Sequence, residues 1–124
     1  MDKKQLLFIE EEGYVINRVQ EILKNFQQFE VTHAGTSEEA RKLLAEKPFE
    51  VVITDIYVCG VSGLEILQRA KEKNKETCVI IITGADNADL AAKALKEGAF
   101  DFVVKPPALD RIASILKLVT LLKP

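Results

Sequence analysis

Tryptophan is absent from this chain, histidine and methionine occur once each, and cysteine occurs twice. Cys59 and Cys78 have no partners at metal-ligand spacing, so neither a zinc site nor a disulfide framework is indicated. Reduced thiols in a cytoplasmic protein are the expectation. No apolar run approaches the roughly 20 residues of a membrane span. The apolar run that follows Met1, Asp2, Lys3, Lys4 and Gln5 is too short for a signal peptide. A basic excess is also missing: 17 Lys and Arg face 19 Asp and Glu, for a net charge of −2, which gives no reason to expect nucleic acid as a direct partner. There is no low-complexity segment and no evident repeat. With 124 residues, 48% hydrophobic and 29% charged, the chain is expected to form one soluble globular domain over residues 1–124.

What is present is a regular alternation. Short apolar runs at residues 6–9, 30–33, 51–54, 79–83 and 102–104 are separated by segments of helical period. The runs VVIT and VIIIT are apolar or β-branched at every position, which suits central strands of a parallel sheet covered on both faces. Five stripes at helical spacing lie between and after them. These are Val15, Val19, Ile22, Leu23 and Phe26; Ala40, Leu43 and Leu44; Leu64, Ile66, Leu67 and Ala70; Leu90, Ala91, Ala94 and Leu95; and Leu109, Ile112, Ile115, Leu116, Val119 and Leu122. Thr36 with Glu39 reads as a capping box, and Gly98 as a helix C-terminal glycine. Fivefold strand–helix alternation predicts an α/β doubly wound domain, three layers thick, around a five-stranded parallel sheet.

In such folds the functional crevice lies beyond the carboxyl ends of the strands. The first run ends in Glu10, Glu11 and Glu12, the third in Asp55, the fourth in Thr83 and the fifth in Lys105, followed by Pro106 and Pro107. Carboxylates that repel one another are tolerable around a hard divalent cation. A lysine opposite them would balance charge and could bind a phosphoryl oxygen. A carboxylate can also serve as nucleophile and form an aspartyl phosphate.

This constellation resembles the receiver domain of the response regulators of bacterial two-component signalling. The resemblance covers essentially the whole chain. TDIYVCGVSGLEIL is similar to the segment that carries the family's phosphoacceptor, and GAFDFVVKPP to the one that carries its lysine. It implies a flavodoxin-like (βα)5 fold. It implies Asp55 as phosphoacceptor, and Mg²⁺ held by Glu10, Glu11, Asp55 and the backbone carbonyl of Tyr57. Thr83 would hydrogen-bond the phosphoryl group, Gly84 would leave it room, Lys105 would pair with one of its oxygens, and the Lys105–Pro106 bond would be cis. Phe102 would be the switch aromatic. The implied partners are a histidine kinase or phosphotransfer protein, and a second copy bound through the fourth helix, fifth strand and fifth helix. The implied role is a signalling module rather than an enzyme with a turnover substrate.

The sequence departs from the family at two places. The acidic pair is commonly two aspartates, or a glutamate and an aspartate; here both members are glutamate. After Asp55 the family often shows Met-Pro-Gly and then Asp-Gly. This chain keeps Gly60 and Gly63 but has Cys59 and Ser62 where the proline and the acid stand. A less constrained loop is expected there. These departures keep a second reading open, a pseudo-receiver that acts as a phosphorylation-independent interaction module. A small aspartate-nucleophile phosphatase is a weaker third. The position two after Asp55 is Tyr57, a phenol of pKa about 10 that is a poor acid/base at neutral pH. Alternation would place Phe100, Phe102 and Val104 on one face. His33 shows no partner and is given no role. Leu118 and Leu121 widen the last helix's apolar surface beyond one core stripe, which suggests a contact face.

Overall fold

The computed structural model describes residues 3–58, 61–105 and 108–122. Its main sheet contains β1 (Lys4–Ile9), β2 (Phe29–Ala34), β3 (Val51–Asp55), β4 (Cys78–Thr83) and β5 (Asp101–Val104). All pairings in it are parallel, in the spatial order β2-β1-β3-β4-β5. The helices are α1 (Gly13–Leu23), α2 (Ser37–Glu46), α3 (Gly63–Lys73), α4 (Ala88–Lys96) and α5 (Arg111–Leu122). This is the doubly wound (βα)5, flavodoxin-like arrangement.

The period-2 alternation of strand side chains divides the core in two. Leu6, Phe8, Val51, Ile53, Ile80, Ile82 and Val103 pack with α1 and α5. Leu7, Ile9, Val52, Val79 and Ile81 pack with α2, α3 and α4. β3 and β4 are buried at every position, which is why their sequences show no polar alternation. The expected stripes of α1 and α3 face the sheet.

Some expectations need correction. Leu122 is 61% exposed, because Val119 is the last α5 residue packed into its layer. Leu95 is also exposed; the inward face of α4 is carried by the small residues Ala91 and Ala94. Phe100 does not share a face with Phe102. β5 begins at Asp101, so Phe100 lies outside its alternation and packs with the α1–α5 layer, whereas Phe102 packs with the other. Leu118 and Leu121 lie on the outer side of α5, 48% and 78% exposed.

Local signals set the element ends. The N–H of Glu39 donates to Thr36 Oγ1 at 3.1 Å, so Thr36 caps α2. Gly98 follows α4 with φ at 112°, a conformation that favours glycine. The segment after Asp55, expected to be a loop, is an antiparallel ribbon in which Tyr57 pairs with Ser62 and Val58 with Val61. Ser62 then caps α3 by accepting from the Leu64 N–H at 3.0 Å. Cys59, Gly60 and the Lys105–Pro106 bond lie outside the described residues.

Candidate functional site

Three parallel strands carry their charged ends to one place because β1, β3 and β4 are in register and β5 follows β4. Ile9 pairs with Thr54 and Thr83 with Val104, so Glu10, Asp55 and Lys105 emerge on one edge of the sheet. The Lys105 N–H donates to the Thr83 carbonyl at 2.9 Å, which fixes the start of the lysine's loop. A cavity opens there, lined by Glu10, Glu11, Glu12, Asp55, Tyr57, Gly84 and Lys105 among others.

Glu10 is fully buried. Its Oε2 accepts the backbone N–H groups of Glu11 and Glu12 at 3.2 and 3.0 Å. Its Oε1 is buried with no hydrogen-bond partner. Burial and the nearby Asp55 carboxylate push its pKa up to about 7. His33 is not isolated: its Nε2 lies 2.9 Å from the Glu10 carbonyl oxygen, and its ring packs 5.4 Å from that of Phe8. The sequence carried no signal for that contact, which depends on the β1–β2 pairing.

Asp55 is 6% exposed. Oδ1 accepts the Tyr57 N–H at 3.3 Å, and Oδ2 accepts from Lys105 Nζ at 2.6 Å. Lys105 also donates to Glu12 Oε1 at 2.9 Å. Burial alone would lower the lysine's pKa, but the bonds to Asp55 and Glu12 outweigh it and hold the ammonium above the usual lysine range. Gly63 is where it is for space: a Cβ there would come within 3.1 Å of the Asp55 carbonyl oxygen and 3.2 Å of Ile56 Cα. A side chain at Gly84 would meet the Asp86 carboxylate at 2.7 Å, in the cavity wall.

The remaining expected residues stand nearby but apart. Thr83 is buried, and its hydroxyl donates to the Gly84 carbonyl at 2.9 Å. Phe102 is half-buried against the α2–α4 layer. Tyr57 is exposed at the cavity rim.

The carboxylates that approach one another are those of Glu10, Glu12 and Asp55, each offering an oxygen within 4.8 Å of the others. Glu11, expected from the sequence as a ligand, lines the cavity but is not in that group. Glu12, which the sequence places in the same acidic run without a ligand role of its own, is in the group. Its available signal was position, at the junction of β1 and α1. The residues present fit a hard divalent cation: the donors are all oxygens, and Glu10 Oε1 is a buried acceptor without a donor.

Comparison with known proteins agrees with this geometry. A relative, the response regulator protein PilR of Pseudomonas aeruginosa, is 34% identical over 116 residues, covering 94% of this chain and 26% of the relative. A putative NtrX-like response regulator of Rickettsia bellii is 37% identical over 114 residues, covering 90% of this chain and 24% of that protein. The chain therefore spans about a quarter of the length of these relatives. The crystal structure of a response regulator receiver domain protein from Clostridium thermocellum superposes with a TM-score of 0.83 at 30% identity, covering 97% of this chain and 96% of that one. The family model described as the response regulator receiver domain matches residues 6–117. Nearly all of the sheet, its helices and the acid–lysine cavity fall within that match, and the chain belongs to the response regulator receiver family.

Proposed function

We propose that Asp55 accepts a phosphoryl group from a histidine kinase or phosphotransfer protein, and that this modification switches the conformation of the Thr83 and Lys105 loops. The observation that carries the reading is the Asp55 carboxylate at the cavity floor, with Lys105 Nζ 2.6 Å away and two glutamates beside it. In the transfer, an Asp55 oxygen forms a bond to phosphorus as the bond from phosphorus to the donor imidazole breaks. The electron pair of the broken bond stays on the imidazole nitrogen. The Tyr57 N–H and the Lys105 ammonium orient the carboxylate for attack. A divalent cation, held by Glu10 and Asp55 with the Tyr57 carbonyl, supplies neutralisation of charge on the phosphoryl oxygens when bound.

The product carries about two negative charges. Lys105 then exchanges its bond to Asp55 for a phosphoryl oxygen, and the Thr83 hydroxyl leaves the Gly84 carbonyl for the same group. Phe102, two residues before the end of β5 and half-buried, is the aromatic that follows these moves in this reading. These moves define a second arrangement whose population rises with phosphorylation.

The test is intact mass after incubation with acetyl phosphate, with Mg²⁺ or with EDTA, alongside Asp55→Ala. A gain of one phosphoryl group that needs both Mg²⁺ and Asp55 is expected. Absence of any gain would favour a phosphorylation-independent interaction module or a receiver that accepts only from its own kinase, and absence of gain with that kinase as well would overturn the reading. A second copy bound through α4, β5 and α5 is part of the same proposal, supported by the exposed Leu118 and Leu121. Leu118→Glu or Leu121→Glu is expected to give a smaller species by light scattering; an unchanged mass would remove the dimer.

A further inference from the structure

We infer that Glu12, rather than Glu11, is the third carboxylate of the cation site, and that it exchanges between Lys105 and the cation. The inference rests on the receiver reading of the same cavity and adds to it a residue outside the acidic pair.

Three observations lead there. Glu10 Oε2 gathers the N–H groups of both Glu11 and Glu12, so the backbone turns tightly around that carboxylate. The turn brings the Glu12 side chain back into the cavity, where its carboxylate joins those of Glu10 and Asp55 within 4.8 Å. Glu12 is also the N-cap of α1, a position whose side chain ordinarily accepts a helix N–H. It makes no such bond and reaches across to Lys105 instead. Finally, Glu10 Oε1 is fully buried and lacks a donor, so the cluster has an unmet acceptor that an ammonium already bonded to Asp55 and Glu12 does not satisfy.

The composition of the cluster points the same way: three carboxyl groups are set against one ammonium. Lys105 sits on two of the three carboxylates, so Glu12 would be shared between the ammonium and a bound cation, and the lysine would be left free to pair with a phosphoryl oxygen. Glutamate at position 12 is long enough to serve either partner from the helix N-terminus. The acidic pair made of two glutamates is thereby complemented from the next residue.

Isothermal titration calorimetry with Mg²⁺ and with Mn²⁺ on the purified chain tests this, with thermal unfolding in EDTA as the folding control. Glu12→Gln is expected to weaken cation affinity about tenfold or more, the scale of losing one group of a metal's shell. Glu11→Gln leaves the three converging carboxylates in place and is expected to stay within about threefold. Glu12→Asp, one methylene shorter with its charge kept, should also lose affinity and serves if the glutamine variant unfolds. Loss in Glu11→Gln with none in Glu12→Gln overturns the inference. If Asp55→Ala and Glu10→Gln weaken binding while Glu12→Gln does not, only the role of Glu12 falls. If the wild type takes up neither cation, or Asp55→Ala binds like wild type, the cation site itself falls with it.

Discussion

Two ionic clusters in this domain are built with opposite ratios of charge. At the strand ends, Glu10, Glu12 and Asp55 share one cation, Lys105. On the outer surface of α2 and α3, Arg41 and Arg69 share one anion, Glu65, through bonds of 2.7 to 3.1 Å. The second cluster is fully served. Hydrogen bonds from Arg41 and then Arg69 hold the Glu65 carboxyl down at about 2. In the first cluster Glu10 and Asp55 are buried, one ammonium faces three carboxyl groups, and Glu10 is pushed up to about 7. The surface cluster ties α2 to α3 through the Arg41–Glu65 pair, and its groups stay in contact with water. A cluster in deficit stores unfavourable charge at the place where a cation or phosphoryl group can relieve it.

The contrast can be broken most strongly at Lys105. Lys105→Met leaves the buried carboxylates without their ammonium. In EDTA the variant should lose about 2–4 kcal/mol in urea unfolding, since removing one partner strands the others. Added Mg²⁺ should restore part of this; a loss below ~1 kcal/mol, unaffected by Mg²⁺, would mean the carboxylates are not in deficit.

A difference in pH response sharpens the comparison next. Glu10 has a folded pKa above its unfolded value of 4.5, so the folded state binds more protons between pH 4.5 and about 7. In EDTA this group's contribution to stability is greatest at low pH and is lost as pH rises through that window, an effect on the order of 3 kcal/mol. Glu10→Gln should flatten the slope; an unchanged slope would show that Glu10 is not its source.

The smallest effect belongs to Glu65. Its folded pKa is lowered, so its contribution is present above pH 4.5 and is lost as pH falls toward 2. Because the pair partners are solvent-exposed, Glu65→Gln should cost less than ~1 kcal/mol at neutral pH, and less still at high salt. A salt-independent cost above that would mean the surface cluster behaves like the buried one.

Much of this was legible in the residues. The uniformly apolar runs of β3 and β4 could only be central strands, and the spacing of Val15, Val19, Ile22 and Leu23 could only be one helical face. Asp55 and Lys105 stood out because each directly follows an apolar run, and Thr83 because it ends one. Leu95, Leu122 and Phe100 were misplaced because periodicity gives a direction around an element but not how far its packing partner extends. Which of the three adjacent glutamates approach Asp55 was not legible, because they look alike in sequence and only the turn around Glu10 tells them apart. His33 had no visible partner because its partner is a backbone carbonyl, which no residue type announces.

The sequence by itself determined the five strand–helix units, the two-sided core and the strand ends at which charged residues would collect, because burial patterns are written locally at fixed periods. The tertiary structure decided which charges meet. Parallel register brought Lys105 between Asp55 and Glu12, and burial left Glu10 Oε1 without a partner. Such pairings depend on distances of a few ångströms between residues up to 93 positions apart in the chain, and no local pattern records them.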